Sequence, residues 1–286
     1  MGAALFVATM LMQGLSSDAL SLYKQHKYPE AASAFEREIA RDGEKPGVVI
    51  LLGQSYYLAG KYAQSIPWLR KAVKSGGHPA EAGYMLGTAL LFTQQPEESV
   101  APFAEVFGVA PESAAAHLAA AEMMVRQELL DYATKQLEIA LALDARVPQA
   151  HYLLGVVALA HSDIDVGITE FQREIAGNPN FAMSYYRLGD AYTRREDWEK
   201  AIPELQRSIW LNPAFTGPYI LLGKAYLKKG DLPDAEGILR QAVRMDPRSR
   251  QATYLLGQTL IEAGRKDDGR KLVEHSLELK DDSGPQ

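Results

Sequence analysis

The pair Leu-Gly recurs at Leu52-Gly53, Leu86-Gly87, Leu154-Gly155, Leu188-Gly189, Leu222-Gly223 and Leu256-Gly257, at intervals of 34, 68, 34, 34 and 34 residues. A fixed period of this length marks a stack of supersecondary units, none of which can bury its apolar face alone. Ala120-Ala121 fills the gap in register and Asp18-Ala19 stands one period upstream, so the lattice counts eight units. They run 12–45, 46–79, 80–113, 114–147, 148–181, 182–215, 216–249 and 250–283. Only an apolar segment, 1–11, and a tail, 284–286, lie outside this 12–283 array, so no separate catalytic domain is expected within these residues.

Reading down the columns gives the packing. Gly or Ala fills the first throughout: Ala19, Gly53, Gly87, Ala121, Gly155, Gly189, Gly223 and Gly257. Twelve residues on, Ala31, Ser65, Ser99, Ala133, Gly167, Ala201, Ala235 and Gly269 are also small. Four further on the column turns bulky, from Phe35 and Leu69 through Phe103, Leu137, Phe171, Leu205 and Leu239 to Val273. Four further again it stays apolar, from Ile39 and Val73 through Phe107 to Leu277. Steps of four put side chains on one helix face; facing small residues let two helices approach, while bulky ones fill the space beside the crossing. Each unit is therefore a helical hairpin. Asn178-Pro179, Asn212-Pro213 and Asp246-Pro247 stop the second helix, because the residue before proline avoids the α region. Gly60, Gly230 and Gly264 share a column at the turn, where a left-handed cap suits glycine. Pro67, Pro102 and Pro203 fall a few residues into second helices, which proline tolerates near the first turn.

This combination of Leu-Gly, a following aromatic (Tyr56, Tyr192, Tyr226), small and bulky columns and terminal Asn/Asp-Pro resembles the tetratricopeptide repeat family. It is clearest in 182–215, with Tyr185, Leu188, Gly189, Tyr192, Trp198, Ala201, Leu205 and Pro213, and weaker in 12–45 and 114–147. The resemblance implies an all-α fold: a right-handed α-solenoid of about eight helix–turn–helix repeats. Its first helices would line a concave groove that holds other proteins or peptides. The family's carboxylate clamp does not carry over, since its columns hold Ile50, Tyr84 and Leu118. Nor does its asparagine ladder, whose column reads Leu51, Met85, Ala119, Leu153, Arg187, Leu221 and Leu255.

Composition narrows the chemistry. With 30 basic against 36 acidic residues the net charge is −6, which argues against a nucleic-acid binder needing a cationic field. Zero cysteines exclude disulfides, a thiol nucleophile and thiolate metal sites. Gly217 to Gly223-Lys224-Ala225 mimics a phosphate loop but has one residue too many and lacks the Ser/Thr for magnesium. Gly53-Gln54-Ser55-Tyr56-Tyr57 lacks the second glycine of a nucleophile elbow, and His161-Ser162-Asp163 are adjacent in a turn, which no triad geometry allows. His117 and His151 hold the same place on neighbouring first helices; helices about 8–10 Å apart are too far for a shared metal unless both rings lean together. Both are expected to pack edgewise in place of an aromatic. No catalytic residue, metal or cofactor is expected.

Candidate groove residues come from the first helices. One column holds Ile50, Tyr84, Leu118, Tyr152, Tyr186, Ile220 and Tyr254, and another Tyr57, Leu91, Val125, Leu159, Thr193, Leu227 and Ile261. A third, Gln54, Thr88, Glu122, Val156, Asp190, Lys224 and Gln258, varies in polarity and is expected to face the concavity. In repeats six and seven Arg187, Asp190 and Arg194 form a stripe followed by Lys224 and Lys228, four cations around one anion. Tyrosines can grip a peptide and cations draw an acidic one, so the partner-binding groove is expected at Tyr84, Tyr152, Tyr186, Arg187, Asp190, Arg194, Lys224, Lys228 and Tyr254. The bland alternative is scaffold packing with a solvated Asp190–Arg194 pair worth about 0.3 kcal/mol.

Ala3 to Met12 carries no charge, is too short for a membrane span and has the length of an export-signal core, without the usual preceding cation. Export to the periplasm is expected ahead of a cytoplasmic location, with a helical cap on the first repeat as the other reading of this segment. The whole reads as a bacterial, non-catalytic scaffold for a protein or peptide partner. A dedicated accessory or assembly subunit of an enzyme or secretion complex is the alternative.

Overall fold

The computed structural model describes residues 17–76 and 79–279. The apolar segment 1–11, the opening of the first expected repeat and the tail 284–286 lie outside these residues. Among the described residues are sixteen α-helices and no strand. The chain divides into two compact units, Met1–Val147 and Pro148–Gln286. The first contains α1 (Ser17–Lys24), α2 (Tyr28–Asp42), α3 (Pro46–Leu58), α4 (Tyr62–Lys74), α5 (Pro79–Phe92), α6 (Val100–Phe107), α7 (Ala114–Arg126) and α8 (Leu130–Leu143). The second contains α9 (Ala150–Ala160), α10 (Ile164–Gly177), α11 (Ala182–Arg194), α12 (Trp198–Leu211), α13 (Thr216–Lys229), α14 (Leu232–Met245), α15 (Arg250–Glu262) and α16 (Lys266–Glu278). Odd- and even-numbered helices pair as hairpins, and odd helices also touch one another, α3 with α5 and α9 through α11 and α13 to α15. No helix among the described residues is long and apolar enough to cross a membrane.

The column pattern is the packing pattern. A Cβ added at Gly155 would stand 2.5 Å from the Phe171 ring, at Gly189 2.6 Å from Leu205, and at Gly223 2.4 Å from Leu239. In the first unit Gly87 meets Phe103 in the same way, at 2.6 Å. The bulky partners are fully buried: Phe35, Leu69, Phe103, Leu137, Phe171, Leu205 and Leu239. Closeness at the crossing is thus set by glycine on one helix and filled by a large side chain sixteen residues on. The next apolar column is less uniform, for Phe107 and Leu277 at the ends of α6 and α16 are largely exposed.

The turns extend the glycine argument further than the sequence does. At the column of Gly60, Gly230 and Gly264, with φ of 72°, 82° and 86°, the other five repeats also adopt positive φ with His26, Gln94, Glu128, Ser162 and Glu196, all near 60°. The prolines correct an expectation. Pro67 and Pro203 lie inside α4 and α12, beyond the first turn, and leave the carbonyls four residues back without a helical N–H. Before Pro102 the helix gives way to a 3-10 turn, Glu97–Ser99, and α6 is only 8 residues long.

One carboxylate replaces a missing cap. Gln149, at the N-cap of α9, has φ 71° and contributes no side-chain bond. The buried Glu174 of α10 reaches back instead, accepting from the Gln149 N–H at 2.9 Å, the Tyr152 N–H at 3.4 Å and the Asn178 amide. It satisfies amides a helix start leaves open and sets a negative charge at the positive end of the dipole.

Candidate partner-binding face

In the second unit the odd helices α9, α11 and α13 carry most of the expected groove residues. Tyr152 of α9 meets Phe181 edge-on, with ring centroids 5.1 Å apart, and Tyr186 of α11 meets Phe215 likewise at 4.8 Å. Phe181 and Phe215 are the residues leading into α11 and α13, so each tyrosine leans on the start of the next first helix. Gly217 makes room for this, since a Cβ there would come within 3.1 Å of the Tyr186 ring. The two phenylalanines went unnoticed in the sequence, although each follows an Asn-Pro by the same step.

Arg187 occupies a column otherwise apolar, beside Leu153, Leu221 and Leu255 in its lattice. Its guanidinium lies 5.5 Å over the Tyr186 ring, and the Tyr152 phenol is close enough to act on its charge. Burial works against its charge, yet the two phenol oxygens and Asp190 outweigh that and hold its pKa above the ordinary value. Its Nε is buried without a hydrogen-bond partner among the described residues, and it makes no ion pair there. Burial also pushes the Tyr186 phenol up, which keeps it a neutral donor.

Asp190 spends its charge on Arg194, which donates to both carboxylate oxygens at 3.0 and 3.3 Å. Of the four cations this pair removes Arg194. Lys224, half-buried, and Lys228, exposed, stand on α13 and make no ion pair among the described residues. Tyr254 on α15 bonds Gln258 through its hydroxyl and borders a separate depression of about 300 Å³ with Arg250 and Leu277. Tyr84 belongs to the first unit, where its exposed ring meets Phe103 edge-on.

Two column readings need correction. Leu91, Leu159, Thr193 and Leu227 are buried, not groove-lining, because this column packs inside the hairpin: Leu159 fills the space beside Gly167 as Ile261 does beside Gly269. In the first unit two members of the polar column are spent internally, with Gln54 buried and accepting from the Tyr23 hydroxyl at 3.0 Å and Thr88 bonding the Tyr84 carbonyl, while Glu122 pairs with Arg126 at the surface. The histidines do more than pack edgewise. His117 Nδ1 lies 2.7 Å from Gln136 Oε1, and His151 Nδ1 lies 2.7 Å from Glu170, which also pairs with Arg173. A bond from a first helix to the residue nineteen on in its own second helix recurs in both.

The enzyme-like strings are structural. Ser55 is buried in α3 and donates to the Leu51 carbonyl at 2.6 Å, while Ser162 takes the left-handed turn position and Asp163 caps α10 at the Val166 N–H. Gly223 and Lys224 lie mid-helix in α13. Among the described residues no group of three or more metal-ligating side chains converges.

An all-α array of paired helices with small residues at every crossing is a helical-repeat protein. Sequence comparison is specific. The profile described as "Tetratricopeptide repeat" matches residues 18–80, 125–180 and 220–283, and one described as "TPR repeat" matches 189–230. The chain belongs to the tetratricopeptide repeat family. Among solved structures it is similar to MamA from Desulfovibrio magneticus RS-1 (22% identity, TM-score 0.55, covering 59% of this chain and 97% of that one). It is similar to YrrB, described as a TPR protein with an unusual peptide-binding site (21%, TM-score 0.55, 65% and 95%). Yeast Tom70 covers more of it (18%, TM-score 0.52, 89% of this chain and 55% of that one). At these identities the likeness is one of fold. No curated protein matches in sequence.

Proposed function

We propose that the chain is a non-catalytic protein-interaction scaffold, and that the α9–α11–α13 face holds an acidic segment of a partner protein or peptide. The observation that carries this is Arg187, a charged group beside two tyrosines in an apolar column, with a buried donor unsatisfied and no ion pair among the described residues. Folding alone does not call for such a group, because an unpaired buried donor costs about 1–3 kcal/mol. A ligand carboxylate would meet it, with the tyrosine rings as apolar walls and Lys224 and Lys228 drawing the segment in. A peptide-binding site in YrrB supports reading this fold as a peptide holder. On a chain of net charge −6 an acidic ligand gains nothing from the overall field, so attraction has to be local.

Titration of a labelled peptide of glutamates and leucines tests the reading. Lys224→Glu with Lys228→Glu should weaken binding by about tenfold or more at low salt, through slower association, and shift stability by less than about 0.5 kcal/mol. Arg187→Met keeps the apolar stem and removes the charge, and should weaken binding at every salt concentration. Wild-type affinity in both variants would remove this face from consideration.

A further inference from the structure

Residues 80–147 contain ten acidic side chains and only three basic ones, Arg126, Lys135 and Arg146, so this stretch alone is more negative than the whole chain. Within it the 3-10 turn and α6 on one side and α8 on the other border a depression of about 480 Å³, inside the range of ligand pockets. Local sequence makes it. Pro102 and the turn before it leave α6 with 8 residues where α8 has 14, and the loop 108–113 runs on in place of helix.

The walls are apolar and the rim is anionic. Val100, Ile139 and Leu143 line it, the last two 40% and 55% exposed. The array does not demand this: at the lattice position of Ile139 the next two repeats carry Arg173 and Arg207. Glu97 and Glu112 stand exposed at the border, and neither makes a hydrogen bond or ion pair among the described residues, whereas Glu98 next door is paired with Arg70. His117 borders the same depression. Its Nδ1 lies 2.7 Å from Gln136 Oε1, and its Nε2 makes no hydrogen bond among the described residues.

We infer that this depression docks a basic amphipathic segment of a partner protein, in which arginine or lysine alternates with leucine-like residues. Apolar side chains of the segment cover Ile139 and Leu143. A guanidinium or ammonium group of the segment meets Glu97 and Glu112, beside His117. An acidic segment or a nucleic acid is repelled by the surrounding charge, which fixes the sign of the occupant. The site belongs to the first unit and is independent of the face proposed for acidic segments in the second, so either can fail alone.

The full chain is titrated, by fluorescence anisotropy, with a short labelled peptide of arginines and leucines in a serine–glycine background. Glu97→Gln with Glu112→Gln should weaken binding about tenfold, while Glu105→Gln with Glu128→Gln, the same charge change outside the depression, should stay within about twofold. Leu143→Ser, with all charges intact, should also weaken it, the melting temperature serving as the check on folding. Equal losses from the two glutamate pairs would reduce the effect to diffuse attraction and overturn the assignment. Undiminished binding by Leu143→Ser would overturn it as well.

Discussion

A single methyl group at Gly155 has nowhere to go, because Phe171 is fully buried and its ring would lie 2.5 Å from the new carbon. Gly155→Ala should cost about 1–3 kcal/mol, and Gly189→Leu at least as much, read from the urea midpoint. A midpoint that stays put would show slack at the crossing. Glu204 offers a pH-dependent counterpart. Burial pushes its carboxyl above the usual range, and it makes no hydrogen bond or ion pair among the described residues. The folded state therefore holds this proton more tightly than the unfolded state, and the stability present below the unfolded value near 4.3 is lost as pH rises from there through the raised folded value. Glu204→Gln should raise the melting temperature at neutral pH and leave it unchanged well below about pH 4. Both glycines were legible in the sequence, since a column of eight small residues repeats its reason eight times. The buried acids Glu170 and Glu174 were not, for a carboxylate on an amphipathic helix reads as solvent-facing until its partner is seen. Only the nineteen-residue step from His117 to Gln136, repeated from His151 to Glu170, held a clue.

Each hairpin turns through one residue with positive φ, and in five of the eight repeats that residue is not glycine. The left-handed conformation costs an ordinary residue about 1–2 kcal/mol, offset by glycine's own loss of about 0.5–1 kcal/mol on folding. Gln94→Gly, Glu128→Gly and Glu196→Gly should each stabilise the chain by about 0.5–1 kcal/mol, visible as a higher midpoint at unchanged binding. Gly230→Ala should do the reverse. Here the sequence showed the mechanism at Gly60, Gly230 and Gly264 but hid its extent, because backbone geometry is imposed by the hairpin and side-chain identity only modulates its cost. Pro67 and Pro203 make the same point: packing of the amphipathic face outweighs one lost hydrogen bond, so a rule that places proline in the first turn fails inside these helices.

Stability in an array of this kind is a sum of local terms, each repeat leaning on its neighbours. Hydrogen exchange should therefore report Gly189→Leu as lost protection in α11 to α14, with protection in 17–76 retained. Uniform loss along the chain would mean a single cooperative block. The period, the helix pairs and the family were all legible because they rest on repetition. The partition after Val147 was not, since the small and bulky packing columns run through Val147-Pro148 unbroken. The same holds for the two faces: what distinguishes Arg187 from Leu153, or Ile139 from Arg173, is a departure from the repeat, and only the surroundings tell a departure with a purpose from drift. Glu174 has a consequence of another kind. Because α9 is closed off by a carboxylate from its own hairpin, its first turn needs no side-chain cap from the residues ahead of it, and Ala145 and Arg146 just upstream are exposed. A guest sequence spliced between those two residues, or a protease cut there, leaves the start of α9 sealed, which makes this the natural seam for grafting a reporter into the chain.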